Sequence, residues 1–194
     1  NKNRESRALL DHDVTVKGLD LATVLKHQAG GAVVIDARDD LAFSQGHLRG
    51  SINIGLGGRF AEYTGEVMEP GTPIILVTDP GHEPEAKMRL ARIGFDNVIG
   101  ALTEPIATFV ANPQHVERLS RLSVDDLAER IASVKDLVLV DVRNPGEVAL
   151  GSVPGAKHIG LPSLLRNLGD LDPNAPTVVF CAGGYRSAIA SSLL

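Results

Sequence analysis

Val33-Val34-Ile35-Asp36-Ala37-Arg38 returns further along the chain as Val138-Leu139-Val140-Asp141-Val142-Arg143, an offset of 105 from Val33 to Val138. Without a gap, the same offset pairs Gly46 with Gly151, Gly50 with Gly155, Ile54 with Ile159, Gly55 with Gly160 and Leu56 with Leu161. Eight of the 24 positions from 33 to 56 are identical. What the copies share is glycines, an Asp, an Arg and strand-type apolar residues, the signature of one fold written twice.

Around this repeat both copies have the same order of elements. A helical pattern precedes the first strand, carried by Leu21, Val24 and Leu25 in copy one and by Leu127 and Ile131 in copy two. Ser123 with Asp126 three residues on opens the second helix in capping-box fashion. After the Asp-x-Arg comes a polar stretch, a glycine turn and a short strand, Ser51–Ile54 or Ala156–Ile159. A solid apolar run follows, Pro73–Val77 or Thr177–Phe180, as suits a strand covered on both faces. Copy one continues into a helix over Glu83–Ile93, a turn at Gly94 and a strand over Asp96–Ile99, with Thr103–Leu122 as tail and linker. Copy two stops at Leu194, within the equivalent helix. The expected fold class is therefore α/β: two domains, 1–118 and 119–194, each a parallel sheet flanked by helices, the second lacking its last strand and helix.

Composition narrows the function classes. The 194 residues are 43% hydrophobic and 22% charged, a globular balance. A net charge of −5 disfavours a nucleic-acid surface. No apolar run approaches the roughly 18 residues that span a membrane. The chain opens at Asn1 with no signal-peptide core, so a cytoplasmic domain or fragment is expected. Six histidines lie scattered, no two within five residues of each other, and Asp11-His12-Asp13 reads as solvated chain rather than as a metal site. Neither a metal nor a cofactor is expected.

The single cysteine, Cys181, excludes an internal disulfide. A lone thiol is either a small core residue or a nucleophile, and its neighbours favour the second. Cys181 directly follows the run Val178-Val179-Phe180, at the carboxyl end of a strand, where α/β proteins bind ligands. Ala182, Gly183, Gly184, Tyr185, Arg186 and Ser187 then lead into a helical pattern. Two glycines let backbone N–H groups converge on an anion, and the helix start and Arg186 add positive potential. The Cys181 pKa should fall, and Arg186 should meet an anionic donor. Tyr185 would shape the mouth of the pocket or stand exposed, Asp141 and Arg143 would fix loops at the strand end, and Lys157 is read as solvated. The spacing C-x4-R is one residue shorter than the C-x5-R of cysteine phosphatases. A tighter loop suits one terminal sulfur better than a phosphate.

These motifs resemble the rhodanese family of sulfurtransferases over nearly the whole chain, twice. They are Asp141-Val142-Arg143, Gly151–Ile159 and Cys181–Ser187 in copy two, with Asp36-Ala37-Arg38 and Gly46–Ile54 in copy one. The resemblance implies a persulfide on Cys181, loaded from thiosulfate or a persulfide and discharged to a thiol or cyanide. Copy two departs from the family pattern at Ser152 and His158, where His and Asn are usual. Copy one carries Thr78-Asp79-Pro80-Gly81-His82-Glu83 at the loop position, with no thiol and no Arg, and should be inactive. A weaker resemblance, to rhodanese pairs that follow a metallo-β-lactamase-like domain in bacterial fusion proteins, rests on Asn1–Leu10 and implies such a domain as a fused or separate partner. Two other functions stay open at this point: a cysteine phosphatase or arsenate reductase, and a non-catalytic docking module.

Overall fold

The computed structural model of the chain describes residues 15–194; the Asp11-His12-Asp13 and Asn1–Leu10 readings lie outside them. The first half runs β1 (Gly18–Leu19), α1 (Leu21–Ala29), β2 (Val33–Asp36), α2 (Asp40–Gln45), β3 (His47–Leu48), β4 (Ile52–Asn53), α3 (Phe60–Val67), β5 (Ile74–Val77), α4 (Glu83–Ala91), β6 (Val98–Leu102), α5 (Pro105–Ala111) and β7 (Val116–Glu117). The second half runs α6 (Val124–Ser133), β8 (Val138–Asp141), α7 (Pro145–Val148), β9 (Lys157–His158), β10 (Thr177–Phe180) and α8 (Tyr185–Leu193).

Two parallel sheets carry the repeat. The first has strand order β1-β6-β5-β2-β4, the second β10-β8-β9. Their registers coincide: Asp36 faces Val77 and Asn53, and Asp141 faces Phe180 and His158. The three strands of the second sheet therefore answer to β5, β2 and β4. β5 lies in the middle of its sheet and is buried along its whole length, whereas β10 is an edge strand among the described residues and is half-buried throughout. No described helix is long and apolar enough to cross a membrane.

Local sequence explains the helix starts. Asp20 accepts from Thr23 N–H at 2.8 Å and Asp39 from Ala42 N–H at 2.8 Å, each occupying an orphan donor of a first turn. Ser123 and Asp126 form the reciprocal box at α6. The expected strand over Asp96–Ile99 is in fact displaced to Val98–Leu102. Asn97 O takes the Ile74 N–H, and the apolar run then continues between β5 and β1. Thr103–Leu122 is not plain linker either. Pro105 occupies the first position of α5, where its missing N–H costs nothing, and β7 pairs antiparallel with β3.

One apolar core runs through both halves. Ile35, Ile54, Phe60, Leu76 and Leu90 from the first are continuous with Val140, Val142, Leu161, Leu164 and Ile189 from the second. The opposite face of the first sheet holds its own cluster around Val24, Val34, Ile75 and Phe109. Adjacent residues of β2, Val34 and Ile35, thus point to different cores, as strand alternation requires.

Candidate active site

The Asp-x-Arg motif has the same geometry in both halves. Arg143 N–H and Nε donate to Asp141 Oδ1 at 3.1 and 2.9 Å, and Nη2 reaches Asp141 Oδ2 at 2.6 Å and Gly151 O at 2.8 Å. Arg38 does the same with Asp36 and Gly46 O. The fork ties the end of the first strand of each repeat to the glycine turn that follows. The departures Ser152 and His158 serve this frame: Ser152 Oγ donates to Asp141 Oδ2 at 2.6 Å, and His158 Nε2 lies 2.8 Å from Arg143 O, where Asn53 Nδ2 donates to Arg38 O in the first half. Burial pushes the Asp141 carboxyl up, but the hydrogen bonds from Arg143 and Ser152 outweigh it and hold the group at about 2.

Cys181 follows β10 and is half-buried, packed against the shared core. Gly184, at φ +90°, caps the start of α8 and turns the chain back over the thiol. Gly184 N–H and Ser187 N–H donate to Sγ at 3.2 and 3.4 Å, and Ser187 Oγ lies 3.5 Å away. Burial pushes the thiol pKa up. The Ser187 hydroxyl and the N–H groups of Ser187, Gly183 and Gly184 outweigh that, so the pKa lies below its ordinary value. Ala182 and Gly183 form the exposed rim.

Arg186 is engaged by a carboxylate of its own chain. Its Nη1 and Nη2 fill both oxygens of Glu147, at 2.5 and 2.8 Å. Glu147 also takes the Asn144 N–H at 3.1 Å, so the loop is fastened to α7. Tyr185 does not stand exposed: its hydroxyl donates to Gly55 O in the first half, and its ring packs on Tyr63 with centroids 5.4 Å apart. Sequence reading missed Glu147, Gly55 and Tyr63. Only Glu147 left a local trace, as the last residue of the N-P-G-E capping pattern. At the position equivalent to Cys181, after β5, Thr78 is buried and its hydroxyl has no partner among the described residues. Among the same residues no group of three or more His, Cys, Asp or Glu gathers to hold a metal ion.

The Arg186 fork and the Asn144 N–H hold the Glu147 carboxyl at about 2, below its ordinary 4.5. A carboxylate held low in the folded state stabilises above its unfolded pKa, and that contribution is lost as pH falls from about 4.5 to about 2. Glu147→Gln should therefore flatten the acid limb of a melting-temperature profile across that window and leave the limb above pH 6 unchanged in slope. An unaltered acid limb would show that the pair contributes nothing.

Fold and loop together define a class: paired parallel α/β units on a common core, one with a thiol at a strand end under backbone amides. The Rhodanese-like domain model matches residues 20–107 and 123–194, and the chain belongs to that family. A sulfurtransferase of Allochromatium vinosum is 28% identical over 76 residues, covering 39% of this chain and 71% of the relative. YtwF of Bacillus subtilis strain 168, which carries a provisional sulfurtransferase name, is 35% identical over 69 residues, 36% of this chain and 67% of the relative. Among solved structures, a thiosulfate sulfurtransferase from Pseudomonas aeruginosa has 21% identity and a TM-score of 0.44; it covers 91% of this chain, which spans only 38% of that one.

Proposed function

We propose that the chain is a sulfurtransferase working through a Cys181 persulfide. The observation that carries this reading is the cradle of N–H groups on Sγ, from Gly184 at 3.2 Å and Ser187 at 3.4 Å. Such donors favour thiolate at neutral pH and offer a terminal sulfur the same amides. Membership of the rhodanese-like family supports it.

In the loading step the Cys181 thiolate attacks the outer sulfur of thiosulfate. A bond forms between Sγ and that sulfur, the sulfur–sulfonate bond breaks, and its electron pair leaves with sulfite. In the second step a thiolate or cyanide attacks the outer sulfur, and the Sγ–S electron pair returns to Cys181. A persulfide donor, from a fused or partner metallo-β-lactamase-like domain, loads the enzyme in the same way with a thiolate leaving. Arg186 in this reading anchors the loop through Glu147, and the residues 182–187 line the donor site. Asp141 and Arg143 hold the frame below it. The catalytic domain is 119–194, the domain 1–118 is non-catalytic, and a cytoplasmic setting suits the lone thiol.

Intact-mass measurement after exposure to thiosulfate tests this. The expected result is a gain of one sulfur atom, removed by cyanide, together with no hydrolysis of an aryl phosphate. An unchanged mass overturns the reading, and ready hydrolysis of the phosphate ester replaces it with a phosphatase.

A further inference from the structure

The side chain in the middle of the thiol loop is held by the half of the protein that has no thiol. Tyr185 opens α8 between the two residues whose N–H groups meet Sγ, Gly184 and Ser187. Its hydroxyl donates to Gly55 O, and its ring lies against Tyr63 of α3. Burial pushes the phenol pKa far up, so at neutral pH the group stays a donor. Under the ring is Gly58, where a Cβ would stand 2.3 Å from Tyr185 Cε2 and 2.7 Å from Cζ. The φ of Gly58 is not in the left-handed region, so the ring and not the backbone demands glycine there.

This socket is itself fixed. Arg89 of α4 donates from Nη1 to Leu56 O at 2.5 Å and from Nη2 to Gly58 O at 2.8 Å. Further along α8, Ser192 Oγ accepts the Asn53 N–H at 3.0 Å, so the helix is tied to the first half at both ends.

We propose that the first half sets the reactivity of Cys181, with Gly55, Gly58 and Tyr63 forming a socket that holds Tyr185 and thereby keeps the Gly184 and Ser187 N–H groups on Sγ. The inference deepens the sulfur-transfer reading and rests on it for its biological meaning. Gly58 and Tyr63 are positioning residues, since they reach the thiol only through Tyr185.

The test is the pH profile of Cys181 alkylation by iodoacetamide in the full chain. Gly58→Ala should displace the ring, raise the alkylation midpoint towards the free-thiol value of about 8.5, and slow alkylation at pH 6.5 by roughly tenfold, the thiolate fraction lost per unit of pKa. Tyr185→Ala should raise the midpoint similarly. In the Tyr185→Ala background, Gly58→Ala should add nothing, because the socket is then empty. Tyr63→Leu, which removes one wall without a clash, should shift the midpoint in the same direction and stands in if Gly58→Ala does not fold. A midpoint unmoved in a folded Gly58→Ala or Tyr63→Leu protein overturns the proposal, as does an equal Gly58→Ala effect in the Tyr185→Ala background. Failure of wild-type Cys181 to take sulfur from thiosulfate would sink the sulfur-transfer reading, whereas the alkylation midpoints decide on the socket by themselves.

Discussion

Cys181→Ser is expected to abolish sulfur loading and to cut thiosulfate:cyanide sulfur transfer by roughly 10⁴-fold or more, the scale seen when a nucleophile is excised. The substitution changes almost nothing else. Serine fits where cysteine fits, and its hydroxyl can accept the same Gly184 and Ser187 N–H bonds that now reach Sγ at 3.2 and 3.4 Å. At neutral pH, however, a hydroxyl keeps its proton, whereas the cradle lowers the thiol pKa. The neighbouring hydroxyl against Sγ, that of Ser187, keeps its proton at neutral pH as the introduced serine does and is no substitute nucleophile. Stability should hardly change, so circular dichroism and melting temperature provide the control. Persistence of a cyanide-labile mass gain in the variant would remove Cys181 from the mechanism.

The second large effect concerns folding. Asp36→Ala should destabilise the protein by about 3–5 kcal/mol, the usual cost of stranding one member of a buried ion pair. Asp36 and Arg38 are fully enclosed, at 0% and 1% exposure. Burial pushes the Asp36 carboxyl up, and Arg38 pulls it down. Without the carboxylate, the guanidinium keeps Gly46 O at 2.9 Å and the Phe109 ring at 5.1 Å. Set against a typical stability of about 5–15 kcal/mol, such a loss is large enough to unfold much of the population. Urea denaturation reads it directly. Asp36→Ala combined with Arg38→Leu should recover most of the loss, because no buried charge is then left alone. A single-variant loss below about 1 kcal/mol would mean that water replaces the carboxylate at Arg38.

The repeat was legible because its markers are local. Glycines, an Asp and an Arg at fixed offset place β2 against β8 residue for residue, and the structure gives both the same strand register. The thiol loop was legible for the same reason, since Cys181, Gly184 and Ser187 are near neighbours in the chain. Helix α5 was lost to the prolines at its start and beyond its end: Pro105 and Pro113 resemble breakers until one sees that Pro105 stands at a helix start. The socket at Gly55 and Gly58 had no sequence signal at all. Gly55 and Gly58 belong to a turn in one half and Tyr185 to a helix in the other, and nothing in the periodicity of either predicts that they touch. Arg186 shows the intermediate case. Its place in the loop was readable, but its charge is absorbed by Glu147, a partner supplied by tertiary contact.

The continuous core has a consequence for how such a chain changes over generations. A repeat unit without a thiol would ordinarily be free to drift or to be deleted. Here Ile35, Phe60 and Leu76 of the thiol-free copy complete the interior around Val140, Leu164 and Ile189 of the other. Discarding the first copy would strip the second of its inner wall. Selection acting on the thiol-bearing copy therefore also constrains its thiol-free neighbour, and the pair is inherited as one unit although only one member bears a thiol.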